Sequence, residues 1–335
     1  MKRFLLMAIS LLVFQTAIFP VEAAEDSLYP LSSEKNKSLT WGKSSNNIDI
    51  SFGYLISQSH CGWEVSFPDQ YGRGKSELKF TGMSSSIPFV SLDIKYPNSY
   101  ASLSIQFGKG LSSNGEGTDT DYQAGATYLR SKFDLTEETT LWISDIQTTF
   151  TFHSKPRWVL KPFLGWQHYE EKIKMTNGFW TNLNGAETNT PIDGLGSRYD
   201  FSWDALRMGI RGELELVSPR QSGIIPLRLK SHLAVFPFIH YRGVGVWNLR
   251  DDFRQDPSFY HEADNFGLLG MDGTISLVYQ PLKHLEFEGG GRILYFNVQD
   301  GTDMTYFSNN TDAKVTLNEA QAIRIGLFLQ ITGRF

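Results

Sequence analysis

The chain has a single cysteine, no long apolar stretch beyond its opening residues and no marked excess of either charge, and each shortage excludes something. Cys61 cannot form an internal disulfide, so no disulfide framework is expected. Acidic residues number 36 against 31 basic ones, a net charge of −5, which argues against nucleic acid as a partner. After residue 24 no apolar run approaches the roughly 20 residues that a helix needs to cross a bilayer. A helical membrane protein is thereby excluded on hydropathy. No cofactor and no metal are expected.

The one apolar run lies at the start. Lys2 and Arg3 precede Phe4 to Phe14, and Val21-Glu22-Ala23-Ala24 ends in the small residues that suit signal peptidase. Gln15, Thr16 and Pro20 interrupt the run, so it reads as a cleavable secretory signal and not as an anchor. Cleavage after residue 24 takes away Lys2, Arg3 and Glu22, a net +1, and leaves −6. The expected organisation is a signal peptide at 1–24, a polar periplasmic lead-in at 25–47 and a transmembrane barrel at 48–335.

What the chain does have is 14% aromatic residues, 30 glycines and many short runs that alternate apolar with polar. Period 2 is the signature of a strand with unlike faces. Ile323, Ile325, Leu327, Leu329, Ile331, Gly333 and Phe335 fall on one face, with Arg324, Gly326, Phe328, Gln330, Thr332 and Arg334 on the other. Similar alternation runs through Ile48–Ser57, Val90–Tyr96 and Ser102–Phe107. It recurs around Trp142–Phe152, Trp158–His168, Leu206–Leu216, Leu227–Tyr241, Met271–Tyr279 and Leu285–Tyr295. A transmembrane barrel writes itself this way, because only its lipid-facing residues need be apolar. The expectation is an all-β, ten-stranded antiparallel barrel in the outer membrane, surrounded by lipid and lipopolysaccharide. The terminal Phe335 would serve as the recognition signal for the assembly machinery.

Short turns are expected at Pro97-Asn98-Ser99, Ser154-Lys155-Pro156-Arg157, Ser218–Pro226 and Gln280-Pro281. Long polar loops are expected near 58–75, 109–138, 172–200, 248–266 and 297–315. Short turns belong in the periplasm and long loops outside, which places both termini in the periplasm. The lumen face carries charges of both signs, including Asp93, Lys95, Asp145, Lys161, Arg207, Arg211, Arg228, Asp272, Glu286, Arg292 and Arg324. In a narrow interior these should pair across the barrel and plug it.

One loop reads Gly115-Glu116-Gly117-Thr118-Asp119-Thr120-Asp121-Tyr122. Carboxylates two residues apart in extended chain share a side, where they could share a proton, orient a water or ligate a cation. Asp119-Thr120-Asp121, Asp49-Ile50-Ser51-Phe52-Gly53, Gly72-Arg73-Gly74-Lys75, Leu164-Gly165-Trp166-Gln167 and Tyr279-Gln280-Pro281 together resemble the omptins, ten-stranded outer-membrane endoproteases. The resemblance implies a catalytic role for Asp119 and Asp121, and, with Trp247 and Asp256-Pro257 as anchors, for Asp252. The position of the omptin histidine falls on Arg254, which cannot act as a base near neutral pH. An acidic position that holds basic substrates falls on Arg250, and the lipopolysaccharide-contacting stretch reads His168-Tyr169-Glu170. His240, on the expected lumen face, and His261 are the histidines that could substitute. The expected activity is therefore an omptin-like but degenerate peptidase acting on a peptide substrate. The alternatives are a small porin, or a structural or adhesive surface barrel whose long loops touch a host-surface ligand.

Overall fold

The computed structural model describes residues 48–68, 74–95, 101–148, 154–155, 158–217 and 226–335. The expected signal peptide, the lead-in, the Pro97 turn and most of the Ser218–Pro226 turn lie outside the described residues. Among these there is no helix. Thirteen strand segments form one antiparallel sheet: β1 (Ile48–Phe67), β2 (Gly74–Lys95), β3 (Ala101–Gln123), β4 (Ala126–Thr148), β5 (Ser154–Lys155), β6 (Trp158–Leu183), β7 (Ala186–Ile192), β8 (Arg198–Glu215), β9 (Leu227–Val246), β10 (Phe259–Phe266), β11 (Gly270–Leu282), β12 (Leu285–Tyr306) and β13 (Asp312–Arg334).

The sheet closes on itself. Each neighbouring pair in the series β1, β2, β3, β4, β6, β8, β9, β11, β12, β13 is hydrogen-bonded, and β13 pairs in turn with β1 from Asp49↔Arg334 to Ser66↔Thr316. β10 lies between β9 and β12 above β11, so β10 and β11 share one place in the wall. Closure leaves no open edge along the wall, the condition for a sheet to live in lipid.

The alternation that predicted the strands also sorts their faces. Outward, Phe52 is 68% exposed and Leu327 and Leu329 are each 73% exposed, whereas Ser51, Ser57, Arg324 and Phe328 between them are buried. The expected long loops are mostly wrong. Residues 109–138 are strand apart from a turn at Ala124-Gly125, and 172–183, 259–266 and 297–306 are strand as well. Beyond the membrane the outer face of a strand no longer meets lipid, so it loses the apolar stripe and reads like a loop. The tips are tight. Ala124-Gly125 and Asn184-Gly185 each place two residues in the left-handed region, at φ 50° and 81° and at φ 54° and 82°, the pattern of a two-residue hairpin turn.

The interior is filled. Trp63, Phe80, Phe133, Tyr199, Trp203, Phe236, Phe259 and Phe296 belong to one buried cluster fed from strands around the whole ring. Trp203 stacks on Phe296 at 5.2 Å and Phe236 on the same ring at 5.1 Å. Each ring so buried contributes about 2–3 kcal/mol. Beneath it, ion pairs line the inner wall between strands that are adjacent or one place apart: Arg292–Asp272 at 2.7 Å, Arg207–Asp272 at 3.2 Å and Arg228–Glu213 at 3.1 Å, with Arg228 and Arg334 both on Glu286. Arg324 is a hub, donating to Ser57 and the Tyr169 hydroxyl at 2.8 Å each, to Glu171 at 2.6 Å, and to Ser59, Thr139 and Ser85.

Candidate functional site

The acid pair sits at the upper end of β3. Opposite Asp119 stand Leu78 on β2 and Ser131 on β4, and opposite Asp121 stands Ser76. By alternation both aspartates share the inward face of Gly117. That residue has no side chain because the Phe133 ring of the buried cluster occupies the space a Cβ would take, 1.9 Å away. The aspartates therefore stand on an aromatic floor at the mouth of the barrel.

This setting governs their protonation. Burial, and then the neighbouring Asp121, push the Asp119 carboxyl well above the usual range, while Arg250 and the Thr120 amide oppose them. Burial raises Asp121 as well, opposed by a hydrogen bond from Ser76 and by Arg250. One oxygen of Asp119 is buried and accepts no hydrogen bond. Two like charges this close favour holding one proton between them.

Arg250 comes from the segment 247–258 between β9 and β10. Ser258 ties that segment at its base: its hydroxyl accepts from the Trp247 amide at 2.9 Å and donates to the Arg254 carbonyl at 2.8 Å. The Arg250 guanidinium donates twice to Asp252, at 2.8 Å each, and lies 4.1 Å from the Phe253 ring centre. The bond to Asp252 raises the Arg250 pKa further, with Asp121 and Asp119 adding to it. So the structure brings Asp119 and Asp121 together and places the charge of Arg250 within their field. Asp252 is exposed, with both oxygens on Arg250. Arg254 lies 4.3 Å from the Tyr306 ring centre.

Neither substitute histidine attends the acid pair. His240 is on the outer face, bonded to Asp264 at 2.8 Å, which corrects its expected lumenal position. The cause is a bulge: Leu206 pairs with Phe238 but Met208 with Val235, so Phe236 and Pro237 stand against Arg207 alone and the inward phase moves from Phe236 to Ile239. His261 is fully buried, with Nδ1 2.9 Å from the Tyr199 hydroxyl and Nε2 2.8 Å from Asp303. No histidine is among the groups whose charge bears on Asp119 or Asp121. Sequence reasoning missed the reach of Arg250 to the acid pair, and it missed Glu171, the partner of Arg324. Carrying the alternation of Gln167 and Tyr169 two residues further would have found Glu171. Among the described residues no group of three or more His, Cys, Asp or Glu is arranged to hold a metal ion.

A closed antiparallel ring with an apolar outer band and a polar, filled interior defines an integral outer-membrane β-barrel. The chain belongs to the Protochlamydia outer membrane protein (Pom) family, whose model matches residues 59–322. No curated protein matches it. Among solved structures it is similar to the outer membrane protease OmpT from Escherichia coli, at a TM-score of 0.68 and 11% identity over 87% of this chain and 98% of that one. The translocator domain of the autotransporter NalP from Neisseria meningitidis follows at 0.36 and 10% identity, covering 88% and 91% of the two chains. The likeness to OmpT is one of fold, and the omptin resemblance read from the sequence is in accord with it.

Proposed function

We propose that this is a surface barrel of omptin architecture whose mouth no longer cleaves peptides, and which acts through its tall rim as a structural or binding surface. Counting β10 and β11 as one interrupted strand, and setting aside β5 and β7, gives ten strands that cross the membrane. In this reading the rim at the acid pair faces outward and both termini lie in the periplasm.

The observation that carries the proposal is the company of the acid pair. An omptin-like site needs a histidine base within hydrogen-bond reach of the attacking water, and the charged group bearing on Asp119 and Asp121 from across the mouth is instead Arg250. An arginine holds its proton and repels the cationic side chains that an acidic cleft would attract. The aromatic cluster and the ion pairs beneath it argue equally against a solute channel, since they occupy the lumen that ions would use.

The test uses the purified, refolded barrel with fluorogenic peptides containing Arg-Arg and Lys-Arg bonds, with and without added lipopolysaccharide. Turnover at the level of a buffer blank is expected. Cleavage that Asp119→Asn abolishes would overturn the proposal.

A further inference from the structure

The wall of the barrel has no open edge, but its rim has one. Above residue 175, β6 loses β8 as a neighbour and turns back on itself through Asn184-Gly185 into β7, which pairs with β6 from Leu183↔Ala186 to Gly178↔Ile192. Among the described strands nothing pairs with the other side of β7. Ala186, Glu187, Asn189, Thr190 and Pro191 are all exposed. The row Asp119↔Ser131↔Trp180↔Thr190 runs level across β3, β4, β6 and β7, so this free edge borders the mouth at the height of the acid pair.

We infer that the free edge of β7 is a strand-addition site for an extended segment of a partner protein that carries a basic side chain. An edge strand offers unpaired N–H and C=O groups that another extended backbone satisfies, and here the row is short, since Pro191 has no N–H and the pairing with β6 shifts register opposite Thr188-Asn189. Beside its lower end lies an open recess of about 840 Å³. Phe179, Pro191, Ile192 and Leu195 supply its apolar walls, with Asn177 and Asp193 among its polar ones. A lysine or arginine fits that combination, with its stem on the apolar wall and its head at Asp193.

Charge selects the partner. Between Met175 and Ser197 the chain carries Glu187 and Asp193 and no lysine or arginine. A second copy would bring its own Glu187 and Asp193 to the same edge, a like-charge contact of the kind that keeps edges from pairing with themselves. A segment added to β7 would lie four strand spacings from Asp119, roughly 19 Å. The site is thus separate from the acid pair and does not depend on whether the mouth is catalytic.

The test is fluorescence polarisation with the full-length barrel in detergent and a labelled probe, acetyl-Val-Thr-Lys-Thr-Val-Thr-amide. Saturable binding is expected, with a Kd on the order of 10–100 µM. Methylating alternate backbone nitrogens of the probe, which leaves the protein untouched, should weaken it about tenfold by removing backbone hydrogen bonds. Asp193→Asn should weaken the lysine probe about threefold and leave its glutamine analogue unchanged. Hydrogen exchange should slow at Glu187–Thr190 on binding. No saturation by about 1 mM, equal binding of the methylated probe, or an edge already occupied by a second copy in light scattering and crosslinking would each overturn the inference.

Discussion

Replacing Arg324 by Met keeps most of the side-chain volume and removes the charge at the centre of the barrel's most connected polar network. The change takes the cation from Glu171, which is fully buried and whose ion-pair partner is Arg324 at 2.6 Å, and leaves its charge to the Tyr169 hydroxyl and the Cys61 thiol. It also takes donors from Ser57, Ser59, Thr139 and the Tyr169 hydroxyl. Breaking one side of a buried ion pair costs about 3–5 kcal/mol, because the remaining charge stays desolvated. With an unfolding slope of about 3 kcal/mol per molar urea, the midpoint should fall by about 1 to 1.7 M. Loss of the compact gel band and the fluorescence of Trp63 and Trp203 report the transition. Adding Glu171→Gln removes the stranded charge while leaving an acceptor for Tyr169, so the double variant should recover to within about 1–2 kcal/mol of wild type. A shift below about 0.3 M for the single variant, or a double variant as unstable as the single one, would refute the reasoning.

Three further outcomes are expected. Asp119 has its folded pKa raised by burial, so its contribution to stability is fully present below the ordinary carboxylate pKa and is lost as pH rises through the raised one. Asp119→Asn should therefore be more stable than wild type at neutral pH, with the gap closing below about pH 4 in parallel urea titrations. Protease treatment of intact cells should nick the tips at Ala124-Gly125 and Asn184-Gly185 and spare Gln280-Pro281, where cleavage would reverse the orientation. Phe335→Ala should lower the amount of folded barrel several-fold in membrane fractions, because it removes the exposed aromatic ring at the closing seam, where Phe335 pairs with Ile48.

The strands that cross lipid were legible in the sequence because one physical demand wrote them. Apolar residues must face the chains, so Ile325, Leu327 and Leu329 alternate with Arg324, Gly326 and Phe328 without interruption. Above the membrane that demand lapses. Thr118-Asp119-Thr120-Asp121 is as regular a strand as Ile325–Leu329, but with no lipid outside nothing forces its outer face to be greasy, and by sequence it reads as a loop. The inversion of His240 has a different cause. A bulge at Phe236-Pro237 costs the sequence nothing that periodicity can register, yet it exchanges the faces of every residue up to Val246.

The site was half legible for a related reason. Spacing alone puts Asp119 and Asp121 on one face, since period 2 is enforced by the backbone. What stands opposite them depends on a segment of irregular chain, 247–258, whose course no periodicity encodes, and there the decisive residue is Arg250. A buried carboxylate pair has two ways to persist: it holds a proton, or it keeps a cation nearby. Here both are present, the first through burial and mutual repulsion, the second through Arg250, which is itself anchored on Asp252. Such an arrangement couples the β3–β4 hairpin to the segment before β10 and sets an arginine, with no histidine, beside the acid pair. In the proposed reading the acid pair carries no cleavage chemistry, and because Arg250 offsets the cost of its charge, changing Arg250 should loosen the rim before it restores any chemistry.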